Sequence, residues 1–405
     1  MKRLIVLVAV LIIIALLAIM PFFVGKTAEA QFYHAQNQVH NLGIDVTSTY
    51  TRGWFGARAE SRASMYDIIT RAVPVKYRSS LLAMTSYVVH TVHEIEHGPL
   101  VLNTFGGYHP VYKPVIAAIR NDTTLSGPTN VLSKPVHFTT YSAIDIDGSY
   151  DTAFSLTSGT HTVYSPDLMR LQYDTVAADL NVSRDFREFS FGLTAPWITL
   201  INNDLSFSVS NIILASGMEK GKYDISLHTM RCYITNVALT ADGGREQVNF
   251  KDVAIQYEVR EVNSNITFST DVVLQSLDVD REHYGPVTVS YTIRNIDPEL
   301  LLQLRQLIED FQRAQWDERS SGVNSFLLMS QLMTVGQQLL EKSPEIEVST
   351  LEINTPDGLF KGNAHVIFHP VESINLLNMF SLLRIITADL NLVMPAGFVE
   401  ENVLS

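Results

Sequence analysis

Val253-Ala254-Ile255-Gln256-Tyr257-Glu258-Val259 sets Val, Ile, Tyr and Val at alternate positions, with Ala, Gln and Glu between them. A period of two in β-branched and aromatic residues is the signature of a strand with one face turned to a core. Leu205-Ser206-Phe207-Ser208-Val209 and Ala143-Ile144-Asp145-Ile146-Asp147-Gly148 repeat the pattern. Between residues 136 and 262 such runs recur, broken by Gly, Asn and Asp, which predicts large antiparallel sheets.

Moving toward the N-terminus, Ser86 to Leu102 is another extended run, with Gly98-Pro99 inside it, whereas Gly107 to Gly127, broken by Pro110 and Pro114, reads as a loop. Ile44 to Tyr50 and Ala57 to Tyr66 form a hairpin around Gly53-Trp54-Phe55-Gly56, whose aromatic tip is expected to lie buried under a neighbouring sheet, the alternative being a tip that dips toward a membrane or a partner. Gly25 to Leu42 is helix-compatible and ends at Gly43, a C-cap candidate.

Toward the C-terminus, Asp297-Pro298 supplies an N-cap and a proline at the first helical position, and Leu300, Leu301, Leu304, Ile308 and Phe311 follow as a core stripe. A second helix is predicted from about Asn324 to Lys342, then a hairpin turning at Thr355-Pro356-Asp357-Gly358. A third helical run, Ser373 to Leu383, leads to an extended segment ending at Pro395.

Leu4 to Val24 carries no charge. At 1.5 Å per residue it spans about 31 Å as a helix, the thickness of a bilayer core. Lys2 and Arg3 precede it and favour a cytoplasmic N-terminus. The apolar run is longer than a signal-peptide core, although Ala28-Glu29-Ala30 would suit cleavage after Ala30. The expected fold is therefore α+β: an N-terminal transmembrane helix, then a large, mostly antiparallel β-sheet domain with a few C-terminal helices. Residues 1–25 form the cytoplasmic tip and anchor, 26–43 a helical extension, and 44–405 the β-rich domain. Two lobes divided near residue 136 are one reading of that domain.

A formal charge of −13 argues against a nucleic-acid surface and against polybasic contact with anionic lipid. The single cysteine, Cys232, excludes an intrachain disulfide framework and suits a bacterial periplasm. It sits in a β-like run and reads as a small core residue rather than a nucleophile.

His93-Glu94-Ile95-Glu96-His97 matches the H-E-x-x-H pattern of zinc hydrolases. That chemistry needs a helix, so that both histidines share a face with the glutamate as general base. Here Tyr87-Val88-Val89-His90-Thr91-Val92 precedes the motif and Gly98-Pro99 ends it, which favours a strand. On a strand His93 and His97 point one way and Glu94 the other. The two histidines, with His90 or His109 nearby, remain candidates for weak metal binding. Ordinary hydrogen bonding on a sheet face is the expectation favoured for them. No P-loop, dinucleotide fingerprint or G-x-S-x-G elbow occurs, and no cofactor is expected.

Glu96-His97-Gly98-Pro99 is echoed by His283-Tyr284-Gly285-Pro286. Proline cannot donate to a strand ladder, so each pair marks a bulge, bend or edge. Duplicated lobes would explain the repetition.

The anchor, Tyr50-Thr51-Arg52-Gly53-Trp54-Phe55, His97-Gly98-Pro99, Tyr284-Gly285-Pro286 with Arg294-Asn295-Ile296-Asp297, and Leu351 to Gly358 together resemble the bacterial YdgA-like family, in order and spacing across nearly the whole chain. The resemblance implies a periplasmic domain tethered to the inner membrane of a Gram-negative bacterium, without established activity or catalytic residues. Members of that family usually continue past the equivalent of Pro395-Ala396-Gly397-Phe398, whereas this sequence ends at Ser405; either it is shortened or its last sheet finishes differently. The expected function is non-enzymatic: binding or scaffolding of a lipid, an outer-membrane client or another envelope protein on a large sheet. The alternative is a metal-dependent hydrolase built on His93, Glu94 and His97. Oligomeric state is not legible.

Overall fold

The computed structural model describes residues 21–396 apart from 23, 31, 35, 38, 41–43, 65, 67–86, 102–114, 128–133, 146, 166, 203–204, 242–245, 317–321 and 371–383. The protein is α+β and mostly antiparallel, and it divides into two compact units, Met1–Phe191 and Gly192–Ser405. The division falls inside a strand, Glu188–Ile201, while residue 136 opens a strand within the first unit.

In the first unit a helix, α1, runs through the described residues between 21 and 40. It is followed by β1 (Val46–Arg52), β2 (Gly56–Ser64), β3 (Val88–Val101), β4 (Val115–Ser126), β5 (Val136–Asp145) and β6 (Tyr150–Leu156). These strands pair in order, each antiparallel to the last. A hairpin of β7 (Gly159–Ser165) and β8 (Asp167–Tyr173) comes next, and β9 (Val176–Val182) returns to pair with β6. The segment from Gly107 to Gly127, expected as a loop, contains β4. The β-branched and apolar residues from Val115 onward carry that strand, and Pro110 and Pro114 lie outside the described residues.

The first hairpin closes where expected, with Gly53 N–H donating to the Gly56 carbonyl at 2.7 Å. Its tip is not buried. Trp54 and Phe55 are 52% and 64% exposed, because the space over this sheet face is taken by α1. Phe32 of α1 lies over the cross-strand row Tyr50–Ala59–His93, with ring centroids 5.3 Å from Tyr50 and 5.5 Å from His93. Ala59, between those two larger side chains, leaves room for the helix and is itself 1% exposed.

The second unit begins with the greater part of β10 (Glu188–Ile201), then β11 (Leu205–Lys220), β12 (Ser226–Ala241), β13 (Glu246–Val262), β14 (Asn265–Val279), the short β15 (Glu282–Tyr284) and β16 (Val287–Ile296). Two helices, α2 (Pro298–Trp316) and α3 (Gly322–Glu341), precede β17 (Glu345–Thr355), β18 (Gly358–Phe368) and β19 (Ile386–Val393). Antiparallel pairing runs β11–β12–β13–β14–β16–β17–β18–β19, with β15 on the end of β14. The two Gly-Pro steps of the internal echo fall one in each unit. Gly98-Pro99 lies where the β3–β4 register shifts, and Gly285-Pro286 links β15 to β16.

Asp297 caps α2 through its Oδ1, which accepts from the N–H groups of Glu299 and Leu300 at 3.0 and 3.1 Å. Such a cap contributes about 1 kcal/mol. The expected stripe is partly corrected. Leu300 is buried and Leu301 packs into the core, but Leu302 joins it and Ile308 is 42% exposed. The helix is rolled so that adjacent leucines share the contact, which turns Ile308 outward. Phe311, Gly43 and the run Ser373 to Leu383 are not among the residues whose side chains or backbone are described. Among the described residues no helix is long and apolar enough to cross a membrane, and the expected anchor lies outside them except for Pro21, Phe22 and Val24.

Candidate functional site

The stretch Val253 to Val259 of β13 supplies the side chains around which a site can be built. Register carries its apolar residues straight across the sheet. Ile255 stands opposite Cys232 and Val272, Cys232 opposite Leu214, Val272 opposite Val289, and Val289 opposite Leu351. The next row, Ile212, Ile234, Val253, Leu274, Val287 and Ile353, is apolar throughout. A third row passes from Met230 through Tyr257, Thr270, Tyr291 and Val348 to Ala364, then to Leu390 at the outer strand. One face of the second unit is thus largely apolar in these rows, interrupted by the buried Thr270 and free of carboxylates, lysines and arginines. The first two rows are half-buried.

The opposite face carries the intervening residues. Arg231, Gln256 and Asp271 make one cross-strand row and are exposed, and Arg260 pairs with Glu258 at 3.5 Å. The same face also carries Ile213, Tyr233, Ala254 and Val273 as a cross-strand row, with Ile213, Tyr233 and Val273 exposed. The period of two therefore separates the faces by charge within these rows, while apolar residues occur on both.

The phase of that period slips once in β11 and once in β13. Phe207 and Val209 give way to Ile212 and Leu214, and Val248 and Phe250 to Val253 and Ile255, while pairing stays in step on either side. At the slips Asn211 and Asp252 have φ of 53° and 49°. A left-handed residue interrupts strict alternation, and Asn and Asp tolerate it best. Asn211 Nδ2 donates to Thr235 Oγ1 at 2.9 Å, and Tyr233 O–H to Asp252 Oδ1 at 2.6 Å, which ties the slips together.

Helix α2 closes one end of the apolar face. Leu301 and Leu302 pack on Ile225, Val259 and Ile266, all buried. Arg305 of the same helix faces His228, and burial first, then this cation, holds the imidazole below its ordinary pKa. Cys232 is half-buried between Leu214 and Ile255, in keeping with a packing role.

The His93-Glu94-Ile95-Glu96-His97 motif lies on strand β3. His93 Nδ1 donates to Asn121 Oδ1 at 2.7 Å and Nε2 accepts from the Ser61 hydroxyl at 2.9 Å, while Asn121 Nδ2 donates to Thr140 Oγ1 at 2.8 Å. Both ring nitrogens are occupied in a chain crossing β2, β3, β4 and β5. Glu94 pairs in register with Arg120, whose side chain is held by Asp122 at 3.0 Å. His97 is 1% exposed and neither ring nitrogen closes a hydrogen bond; its ring lies against Gly25 of α1. His109 lies outside the described residues, and among those described no three His, Cys, Asp or Glu side chains are grouped to hold a metal ion.

Burial is the main force lowering the pKa of both His93 and His97 below the usual imidazole value; the Asn121 bond and nearby backbone carbonyls offset it only in part. A depressed histidine pKa means that the unfolded chain takes up the proton first. Stability contributed by these neutral rings is complete above about pH 6.5 and declines as pH falls from there toward their folded values. The urea midpoint is expected to drop between pH 7.5 and 5.0, and less steeply in His97→Leu. An equal drop in both proteins would assign the acid sensitivity elsewhere.

What the sequence did not reveal was the alignment of apolar rows across β11 to β18. Each strand shows its own alternation, but register joins residues more than a hundred positions apart. Residues 1–403 match the model of a family described as bacterial protein of unknown function (DUF945). No curated protein and no solved structure matches the chain.

Proposed function

The chain belongs to the bacterial DUF945 family, and from that premise we propose that it is a non-enzymatic, membrane-anchored protein of the cell envelope whose second unit holds acyl chains against its apolar sheet face. The observation that carries this reading is the run of uncharged apolar rows from β11 to β18, with Ile255, Cys232, Val272 and Val289 near their centre. A surface of this kind gains roughly 25 cal/mol for each Å² of apolar area withdrawn from water, without asking for a hydrogen-bonding partner. An acyl chain meets that requirement better than a polar peptide. The anchor expected over residues 4–24 would tether the unit beside the inner membrane, where lipid is supplied, with its bulk in the periplasm. The YdgA-like resemblance is consistent with that location.

The test is the lipid content of the full chain, purified in mild detergent and extracted for mass spectrometry. We expect lipid in excess of that retained by Ile255→Lys, which places an ammonium at the centre of the apolar rows and should lower retention several-fold while leaving the circular dichroism unchanged. Equal retention by the two folded proteins would remove the apolar face as the binding site.

A further inference from the structure

Phe22, Trp54 and Phe55 form an exposed aromatic cluster in the first unit, at 38%, 52% and 64% exposure. The first two rings lie 5.8 Å apart. Large apolar side chains clustered at a surface mark a contact, unlike single exposed ones. The cluster is also built rigidly. The tip turn is closed by the Gly53–Gly56 bond, and the His97 N–H donates to the Phe55 carbonyl at 3.0 Å. Pro21, next to Phe22, is fully buried, and Gly98 lies beneath both segments: a Cβ added there would stand 3.9 Å from Pro21 Cγ and 4.0 Å from Phe55 Cδ1. The Arg52 guanidinium sits 5.1 Å above the Phe22 ring and pairs with Glu29 at 2.9 Å.

Position decides the occupant. Pro21 and Phe22 belong to the last turn of the uncharged run Leu4 to Val24. The hairpin tip is clamped to the chain at the level where that run ends. Aromatic rings with a neighbouring cation, at the end of an apolar span, have the composition of a membrane–water interface. We infer that Phe22, Trp54 and Phe55 seat in the headgroup region of the bilayer, so that the first unit docks on the membrane surface at a fixed point. The inference rests on reading residues 4–24 as an anchor. It assigns the aromatic tip to lipid headgroups, not to a partner protein.

Trp54 is its own reporter. The full chain carrying Trp197→Phe and Trp316→Phe, reconstituted into phosphatidylethanolamine–phosphatidylglycerol vesicles, is assayed by flotation and by fluorescence quenching with lipids brominated near the headgroup or near the chain end. The expected result is flotation with at least twofold stronger quenching by the shallow bromines. Flotation without quenching overturns the docking while leaving the anchor standing; stronger quenching by the deep bromines also overturns it. Failure to float removes the anchor reading, and the docking with it. If the double variant does not fold, a nitroxide at Phe55→Cys in a Cys232→Ser chain reports the same depth through its accessibility to oxygen and to a nickel chelate, with the same outcomes.

Discussion

Ile266→Ala is expected to destabilise the second unit by about 3 kcal/mol, within the range of roughly 2–5 kcal/mol for truncating a buried isoleucine. Ile266 is completely buried and is among the largest side chains so enclosed. It meets Val259 of β13 and Ile225 from the turn before β12, and Tyr257, Phe268, Leu301 and Leu302 pack around the cluster. Truncation removes three methyl or methylene groups and leaves a cavity. The sheet cannot collapse into it, since pairing holds Ile266 opposite Ile296 and Glu261. The helix can shift, and it is the element most loosened by the change. Urea unfolding followed by circular dichroism should show a lower midpoint, and hydrogen exchange should rise first in α2. A change below 1 kcal/mol would mean that α2 is not seated through this cluster.

Gly25→Ala is the second large effect, and it acts at the other end of the chain. In a free helix the exchange would be favourable by about 1 kcal/mol. Here the added Cβ would stand 2.5 Å from His97 Cε1 and 2.8 Å from Nε2. His97 is enclosed at 1% exposure, so accommodating the methyl group requires either that the ring leave its position or that α1 lift from β3. Overpacking of this kind costs about 1–3 kcal/mol, enough to reverse the helix preference. Limited proteolysis should then cut between residues 25 and 45 much faster than in the unaltered protein. His97→Ala in the same chain removes the obstructing ring and should restore protection in part, because the two positions are in contact and their effects are not additive. Unchanged proteolysis in Gly25→Ala would show that α1 does not depend on this approach.

Local chemistry was legible where it is decided by neighbours in sequence. Asp297-Pro298 reads as a helix start because the cap and the missing proline donor both act within one turn, and the structure has that cap. Thr355 to Gly358 reads as a tight turn because only Gly358 takes the positive φ, 131°. The strand assignment for the H-E-x-x-H segment followed from β-branched residues before it and Gly-Pro after it. What it could not supply was the set of partners: Ser61 and Asn121 lie 32 and 28 residues from His93 and reach it only through pairing. Trp54-Phe55 at a hairpin tip reads as lying under a neighbouring sheet or, second, as facing a membrane or partner. Only the tertiary placement of α1 over Tyr50 and His93 shows that a helix, not a sheet, covers this face and that the tip is exposed. The apolar site was the least legible element. Val253 to Val259 declares one face apolar, but only register shows that the neighbouring strands align theirs with it, and Asn211 and Asp252 shift the phase midway.

The most direct test of the central claim is photocrosslinking in native membranes, with a photoreactive amino acid at Val272 on the apolar face or at Asp271 on the other. The two positions are adjacent in β14 and differ only in the face they occupy. Acyl-chain binding predicts lipid adducts at Val272, identified by mass spectrometry, and few at Asp271. Equal labelling at both positions, or adducts at Val272 that are protein and not lipid, would contradict it.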